Sequence, residues 1–482
     1  MSDVSPVEKA KTELLPLLEM QRAAFEAEGE VAYETRIDRL DRCLALIVDN
    51  KEAICEAVAQ DFGKRCSTVT KMTDLFTSVG SLKFAKKNLK KWMKPERRSP
   101  GIPMNLFGAK AHIHYQPKGV IGVMTPWNVP VNMIFSPLAD VLAAGNRAMI
   151  KPSEFTPATA ELMKKLFAQY FEPSEITVCT GGPEVGAAFS SLQFDHVIFT
   201  GATTVGRMVM QAAAANLVPV TLELGGKSPL IVSQSAPIHD AAESIISGKS
   251  MNAGQLCISP DYCFVPASRL EAFISTCKET INTQFPNIVS GGDFVSVINE
   301  RHYDRIKGYI DEAKEKGARV IELNPANEDW SDRSQHRIPL HLIVDADDDL
   351  ACMQDEIFGP ILNIKSYRKL DECIQFINKR PRPLAMYYYG KDKEEERHVL
   401  ANTIAGGVTV NNIAMHVSCD DIPFGGVGNS GMGHYRGREG FKTFSHAKSV
   451  YRQGFVDLAK LGGTLPPYTD KTENMIDGQI SK

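Results

Sequence analysis

The chain has 482 residues, 43% hydrophobic and 23% charged, which is too long for one ordinary core and normal for a globular protein of two or three domains. Its 54 basic and 58 acidic residues leave a formal charge of −4, arguing against nucleic acid as a partner, because such binders usually carry a basic face. Ten cysteines without a C-x-x-C pair give neither a disulfide framework nor a zinc spacing, so no metal site is expected. There is no N-x-[ST] acceptor, no apolar signal core in residues 1–25, and no apolar run approaching the ~20 residues of a membrane span. The expectation is a cytoplasmic protein with reduced thiols and no membrane anchor.

Residues 6–60 read as helices, with Ile37, Leu40, Leu44, Ile47 and Val48 at helical spacing over Arg36–Phe62 and an end near Gly63. The lysine run from Lys86 to Lys91 reads as a solvated helix face. The Pro/Gly-rich segment Arg97–Pro103 breaks the helical regime. A strand follows at Ala111–Gln116, with His112 and His114 on its solvent face. From Gly119 the texture becomes α/β: strand Val120–Met124, a Pro-rich loop, a helix near Val131–Ala144, then strand Ala148–Ile150. Strand His196–Phe199, turn Thr200–Thr203, helix Val205–Asn216 and strand Val218–Leu224 make a unit of βαβ size. Several such units predict a doubly wound parallel sheet with a ligand at the strand carboxyl ends. A second α/β region, about 228–437, offers strands at Leu230–Val232, Tyr262–Val265 and Leu362–Ile364 and a helix near Glu300–Lys316. The last forty residues have weak periodicity and read as an arm or a frayed terminus.

Two glycine patterns are decoys. Gly226-Lys227-Ser228 lacks the first glycine of a phosphate loop, since that position is Thr221. Gly426–Gly431 fits G-x-G-x-x-G, but it follows Pro423-Phe424 rather than a strand. Three other segments carry chemistry. In Leu222-Glu223-Leu224-Gly225-Gly226 an acid ends an apolar strand. Such a site raises a carboxyl pKa, as a general base needs, although a turn-capping glutamate would look the same. In Gly254–Pro260, glycine and proline place Cys257 on an irregular turn that presents its thiol, while any one of ten cysteines is more often packing than nucleophile. In Thr125–Pro130 the flanking prolines stiffen Asn128, either as an oxyanion donor or as a turn residue.

In wording and order these segments resemble the aldehyde dehydrogenase superfamily. The glutamate motif resembles L-E-L-G-G-K-[SN]-P, and Cys257 lies 34 positions after Glu223. Lys151-Pro152-Ser153-Glu154, Phe199–Gly206, Glu356–Pro360 and Pro423–Gly431 resemble further motifs, so the likeness runs from residue 125 to 431. The wording Val427–Gly433 is similar to the class 3-like branch. Met415-His416-Val417 and Phe444–Lys448 look closest to its bacterial coniferyl aldehyde dehydrogenases. One departure is Ala202, where many relatives carry a serine that touches the cofactor pyrophosphate.

The resemblance implies an α/β aldehyde dehydrogenase-like fold in three parts. Residues 1–222 would hold the N-terminal helices and a Rossmann-like NAD-binding domain, with an arm segment at about 97–118. Residues 223–437 would be the α/β catalytic domain, and 438–482 an oligomerisation arm giving a homodimer. It implies Cys257 as nucleophile, Asn128 with the Cys257 N–H as oxyanion donors, and Glu223 as the base that activates water. An aldehyde, aromatic or medium-chain, would pass through a cysteine thiohemiacetal and thioester to the acid. Lys151 and Glu154 are expected at the adenosine ribose, Gly201, Thr203 and Gly206 at the cofactor turn, and Glu356 with Phe358 at the nicotinamide ribose. Glu154 would repel a 2′-phosphate and favours NAD, but the branch uses both cofactors and NADP stays open. The rivals are an acylating enzyme passing the acyl group to coenzyme A, a non-catalytic member, and a cysteine hydrolase. Glu223 argues against the first, the intact Cys257, Glu223 and Asn128 against the second, and the lack of an evident histidine partner against the third. Phe107, Tyr115, Trp127 and Phe424 are candidates for an apolar tunnel or for core.

Overall fold

The computed structural model describes residues 5–480. Its N-terminal helices are Pro6–Glu28, Tyr33–Asp49, Lys51–Phe62 and Thr77–Trp92. The single helical pattern expected over Arg36–Phe62 is two helices, broken at Asn50, whose φ of −114° leaves the helical region. Asn50 also turns its amide back onto the Leu46 carbonyl at 2.9 Å, a local bond that competes with the next helical turn.

Six strands form one sheet in the order Gly431–Met432, Val220–Leu224, His196–Gly201, Val120–Met124, Arg147–Lys151 and Ile176–Val178. Every pair is parallel except the first. Alternation along the strands explains the layers. Ile121, Val123, Ala148 and Ile150 pack with helices Asn132–Ala143 and Pro157–Tyr170 on one face. Val120, Met149, Val197, Phe199 and Leu222 pack with helices Pro6–Glu28, Pro183–Ser190 and Thr203–Ala214 on the other. Burial on both faces is why these strands are continuous apolar runs. The expected turn Thr200–Thr203 starts later, because Thr200 and Gly201 still pair with Glu223 and Leu224.

A second sheet has seven strands, in the order Arg319–Leu323, Leu340–Val344, Ile361–Tyr367, Pro260–Pro266, Ser228–Val232, Ala385–Tyr389 and Gly407–Val410. Only its first pair is antiparallel. A third sheet is antiparallel: Glu96–Arg98, Lys110–Pro117 and Ser445–Arg452. The last forty residues are therefore more ordered than their weak periodicity suggests. They contain that strand, then helices Leu458–Leu461 and Asp470–Ile480. A strand held by a partner 328 residues away in sequence leaves no local signal, as in Ser445 opposite Pro117.

The chain crosses between the first two sheets in three residues, from Leu224 to Ser228. The carboxyl edge of the six-stranded sheet thus faces the amino edge of the seven-stranded one. Loops at both edges converge there.

Candidate active site

Three strands of the first sheet deliver the left side of this cleft. Thr125–Val131 follows Val120–Met124, Ala202 follows His196–Gly201, and Gly225-Gly226 follows Val220–Leu224. The second sheet delivers the right side from loops that precede its strands: Gln255–Ser259 before Pro260, Glu356–Pro360 before Ile361, and Lys379–Leu384 before Ala385. The cavity between them is about 1010 Å³. Asn128, Gly201, Thr203, Glu223, Cys257, Glu356 and Phe358 all line it. Lys151, Glu154 and Gly206 lie outside this lining. The Lys151 ammonium bonds the Pro152 carbonyl at 2.8 Å and lies 3.4 Å from Glu154. Gly206 packs helix Thr203–Ala214 on its strand, since a Cβ there would stand 2.6 Å from Leu224.

Cys257 is held by a contorted approach. Asn252, Ala253 and Gly254 run left-handed, with φ of 49°, 52° and 72°. A Cβ on Gly254 would meet the Gly359 carbonyl at 2.3 Å, so the loops carrying Cys257 and Glu356 touch only through glycine. Buried Gln255 locks the turn: its amide donates to the Asn252 and Ser296 carbonyls, each at 3.0 Å, and its oxygen accepts from Ile298 N–H. The Tyr387 hydroxyl donates to the Ile258 carbonyl on the far side. Burial, then Glu356, then Glu223 push the Cys257 thiol up to about 12, against the backbone N–H groups of Cys257 and Ile258.

Glu223 is 2% exposed, and neither of its oxygens has a hydrogen-bond partner among the described residues. Removing an ionised carboxylate from water costs several kcal/mol, roughly. Burial accordingly raises its pKa well above the ordinary value, and only partly opposed by the Arg436 guanidinium. A carboxyl so placed holds a proton avidly and has both oxygens ready for a group that enters the cavity. Glu356 stands across the Gly225-Gly226 turn, where a Cβ on Gly225 would lie 2.1 Å from its Oε2. Burial raises it to about 7, with a Gly226 N–H bond opposing. Asn128 is buried and donates to the Gln255 carbonyl at 3.0 Å, so its amide faces the turn that bears Cys257.

Sequence reading missed His302, Arg305 and Asn429 among the residues that build the walls. His302 lies 5.2 Å from the Trp127 ring, and Phe358 meets that ring edge-on at 5.3 Å. Burial takes His302 down to about 4, so it is neutral. Arg305 donates to the Ile357 carbonyl at 2.8 Å and fixes the Glu356 loop. Asn429, inside the rejected glycine pattern, also lines the cavity. Its loop is no phosphate turn: Gly428 bridges Gly431, which pairs antiparallel with Glu223. Helix Glu300–Glu315 has an amphipathic sequence, and nothing in that pattern marks the one face turned to the cleft. Of the four tunnel candidates, Trp127 alone lines the cavity. Phe107 packs on Phe455, Tyr115 on Phe441 and Phe424 on Tyr435. Among the described residues, no cluster of His, Cys, Asp or Glu is placed to hold a metal, and no helix is long and apolar enough to cross a membrane.

A family model described as the aldehyde dehydrogenase family matches residues 8–450. The chain belongs to that family. Among curated members, it is 51% identical to a probable coniferyl aldehyde dehydrogenase of Caulobacter vibrioides, over 97% of this chain and 96% of that one. It is 46% identical to the coniferyl aldehyde dehydrogenase of a Pseudomonas species, over 93% and 92%. Among solved members, substrate-bound Staphylococcus aureus AldH superposes with a TM-score of 0.90 at 35% identity, covering 97% of this chain and 99% of that chain. An aldehyde dehydrogenase of Mycobacterium tuberculosis complexed with NAD+ superposes at 0.82 with 26% identity, over 93% and 91%.

Proposed function

We propose that this aldehyde dehydrogenase oxidises an aromatic aldehyde of the coniferaldehyde type to its acid, with NAD as the hydride acceptor and water as the acyl acceptor. The observation that carries the reading is the convergence of Cys257, Glu223 and Asn128 on one cavity. The residues present fit a dinucleotide. Glu223 has two buried oxygens without partners, the cavity continues past Gly225 to the first turn of helix Thr203–Ala214, and a helix N-terminus favours a pyrophosphate. Ala202 offers that turn no side-chain cap, so backbone N–H groups carry the contact. Thr203 and Gly201 would border the pyrophosphate, Glu356 and Phe358 the nicotinamide ribose, and Lys151 with Glu154 the adenosine ribose, beyond the cavity lining. Gly206 lets the helix approach its strand.

When bound, the nicotinamide supplies the hydride acceptor that takes a thiohemiacetal to a thioester. The chain's own residues do the rest. Cys257 gives up its thiol proton to solvent and attacks the aldehyde carbon as thiolate. Asn128 keeps one amide N–H on Gln255 and turns the other to the oxyanion, beside the Cys257 N–H. Losing one such donor typically costs ~3 kcal/mol. Glu223 takes a proton from water, which releases the acid. That base also favours water over coenzyme A as acceptor.

The six-stranded sheet then serves as the cofactor body and the seven-stranded sheet as the catalytic body. The three-stranded arm and residues 438–482 serve as the contact surface of a homodimer in a reducing cytoplasm. All ten cysteines are free, which agrees with such a compartment. Light scattering that returned a monomer would remove the dimer. The substrate reading is tested by following NADH across coniferaldehyde, benzaldehyde, hexanal, decanal and acetaldehyde without coenzyme A. Coniferaldehyde should give the highest kcat/KM and free acid as product. Equal kcat/KM on all five would remove the coniferyl assignment, and acid formation that needed coenzyme A would remove the hydrolytic one.

A further inference from the structure

We propose that Arg65 and Asp74, an ion pair buried beneath the active-site cleft, are positioning residues that set the Asn128 amide against the turn bearing Cys257. This rests on the reading of Asn128 as an oxyanion donor.

The two side chains are fully buried, at 0% exposure each. Arg65 follows helix Lys51–Phe62 and lies over the Phe62 ring at 4.6 Å. One of its nitrogens, Nη1, donates to the backbone carbonyl of Asn128 at 2.8 Å. The other, Nη2, donates to Asp74 Oδ2 at 2.5 Å and to Thr73 Oγ1 at 2.9 Å. Asp74 stands in a π-helical stretch, Lys71–Phe76, set between α-helical Ser67–Thr70 and Thr77–Trp92. A π-bulge re-aims the side chains that follow it and is common beside functional sites. Here the free oxygen, Oδ1, accepts from the N–H groups of Val131 at 3.0 Å and Asn132 at 3.3 Å. That is the positive end of helix Asn132–Ala143.

The pair therefore grips the Asn128 loop at two points, a carbonyl and the helix start that follows it. A third bond closes the arrangement. Asn252 Nδ2 donates to the same Asn128 carbonyl at 3.0 Å and to the Gln255 carbonyl at 3.2 Å. The Asn128 amide donates to that Gln255 carbonyl at 3.0 Å, two residues before Cys257. Peptide and side chain of Asn128 are thus both referenced to the nucleophile's turn.

Stability alone is a poor account of this pair. Burying two charges costs several kcal/mol, roughly, and well-packed apolar residues of the same volume would often serve as well. Apolar residues, however, cannot bond a loop carbonyl and a helix N–H at once. The pair fixes an orientation, and a displacement near 1 Å in a reacting geometry can cost about 100-fold in rate.

The test is a double-mutant cycle on the full chain. Arg65→Lys keeps a charge beside Asp74 but removes the planar fork whose two nitrogens separately reach Asp74 and the Asn128 carbonyl. With Asn128 present it should lower kcat about tenfold and leave KM within about twofold. In an Asn128→Ala background the same change should alter kcat by less than about twofold. Equal losses in both backgrounds, or no loss with Asn128 present, would overturn the proposal. Thermal midpoints confirm folding. If Arg65→Lys does not fold, Asp74→Asn, which keeps the shape and loses the charge, is read by the same two outcomes. Asn128→Ala alone with full kcat would remove the donor reading and this proposal together. An impaired Asn128→Ala with a strictly additive cycle would remove this proposal only.

Discussion

At the scale of single residues, Glu223 and Cys257 feel the same burial at one cavity. Burial raises the Glu223 carboxyl well above its ordinary range, and burial with Glu356 and Glu223 nearby raises the Cys257 thiol to about 12. A base works only in its ionised form, so the sign follows directly. As pH falls through the raised Glu223 pKa the carboxylate is protonated, and water activation is lost. The acid limb of kcat should therefore lie well above the ~4.3 of a free glutamate. Arg436 opposes the shift, so Arg436→Gln should move that limb to higher pH. A kcat–pH profile in both proteins checks it, and a limb that stayed in place, or moved down, would count against the base assignment. These two positions were visible in the sequence as local oddities, a glutamate ending an apolar run and a cysteine between glycine and proline, and the family resemblance gave them their expected roles. Arg65 and Asp74 were not. An arginine just past one helix and an aspartate within another look solvated, and their partners Asn128 and Val131 lie 63 and 57 residues away.

Among the elements, most strands and helices around the site were readable from apolar runs and their punctuation, to within a few residues at each end, although strands Ala385–Tyr389 and Gly431–Met432 were not. What escaped were features set by partners remote in sequence. Arm strand Ser445–Arg452 is one, and the π-helical stretch Lys71–Phe76 is another. The turn Met251–Gly254 shows how much an element depends on one residue. Its Gly254 has φ 72° and leaves 2.3 Å between a would-be Cβ and the Gly359 carbonyl, which is backbone and cannot swing away as a side chain would. Gly254→Ala should therefore destabilise by about 3 kcal/mol, adding left-handed strain to the clash, and should also displace Glu356. Denaturant unfolding measures the first effect. A loss under about 1 kcal/mol would show that the two loops do not bear on each other.

For the whole molecule, two sheets meet edge to edge, and the proposed chemistry depends on that meeting. One sheet carries Glu223 at a strand end and Asn128 in the loop after a strand, and the other begins its strands after Cys257 and Glu356. Neither sheet holds a complete set. The family likeness spans residues 8–450, and so takes in both. What no local pattern in the sequence could give is that the two edges share one cavity, because the residues concerned are spread from 128 to 356. The most direct measurement is rapid mixing of Glu223→Gln with coniferaldehyde and NAD, following NADH. The account predicts a burst of about one NADH per Cys257, then turnover at least ~100-fold slower than in the unaltered protein, as acyl groups wait on sulfur for water. Steady turnover at the unaltered rate, without a burst, would contradict it.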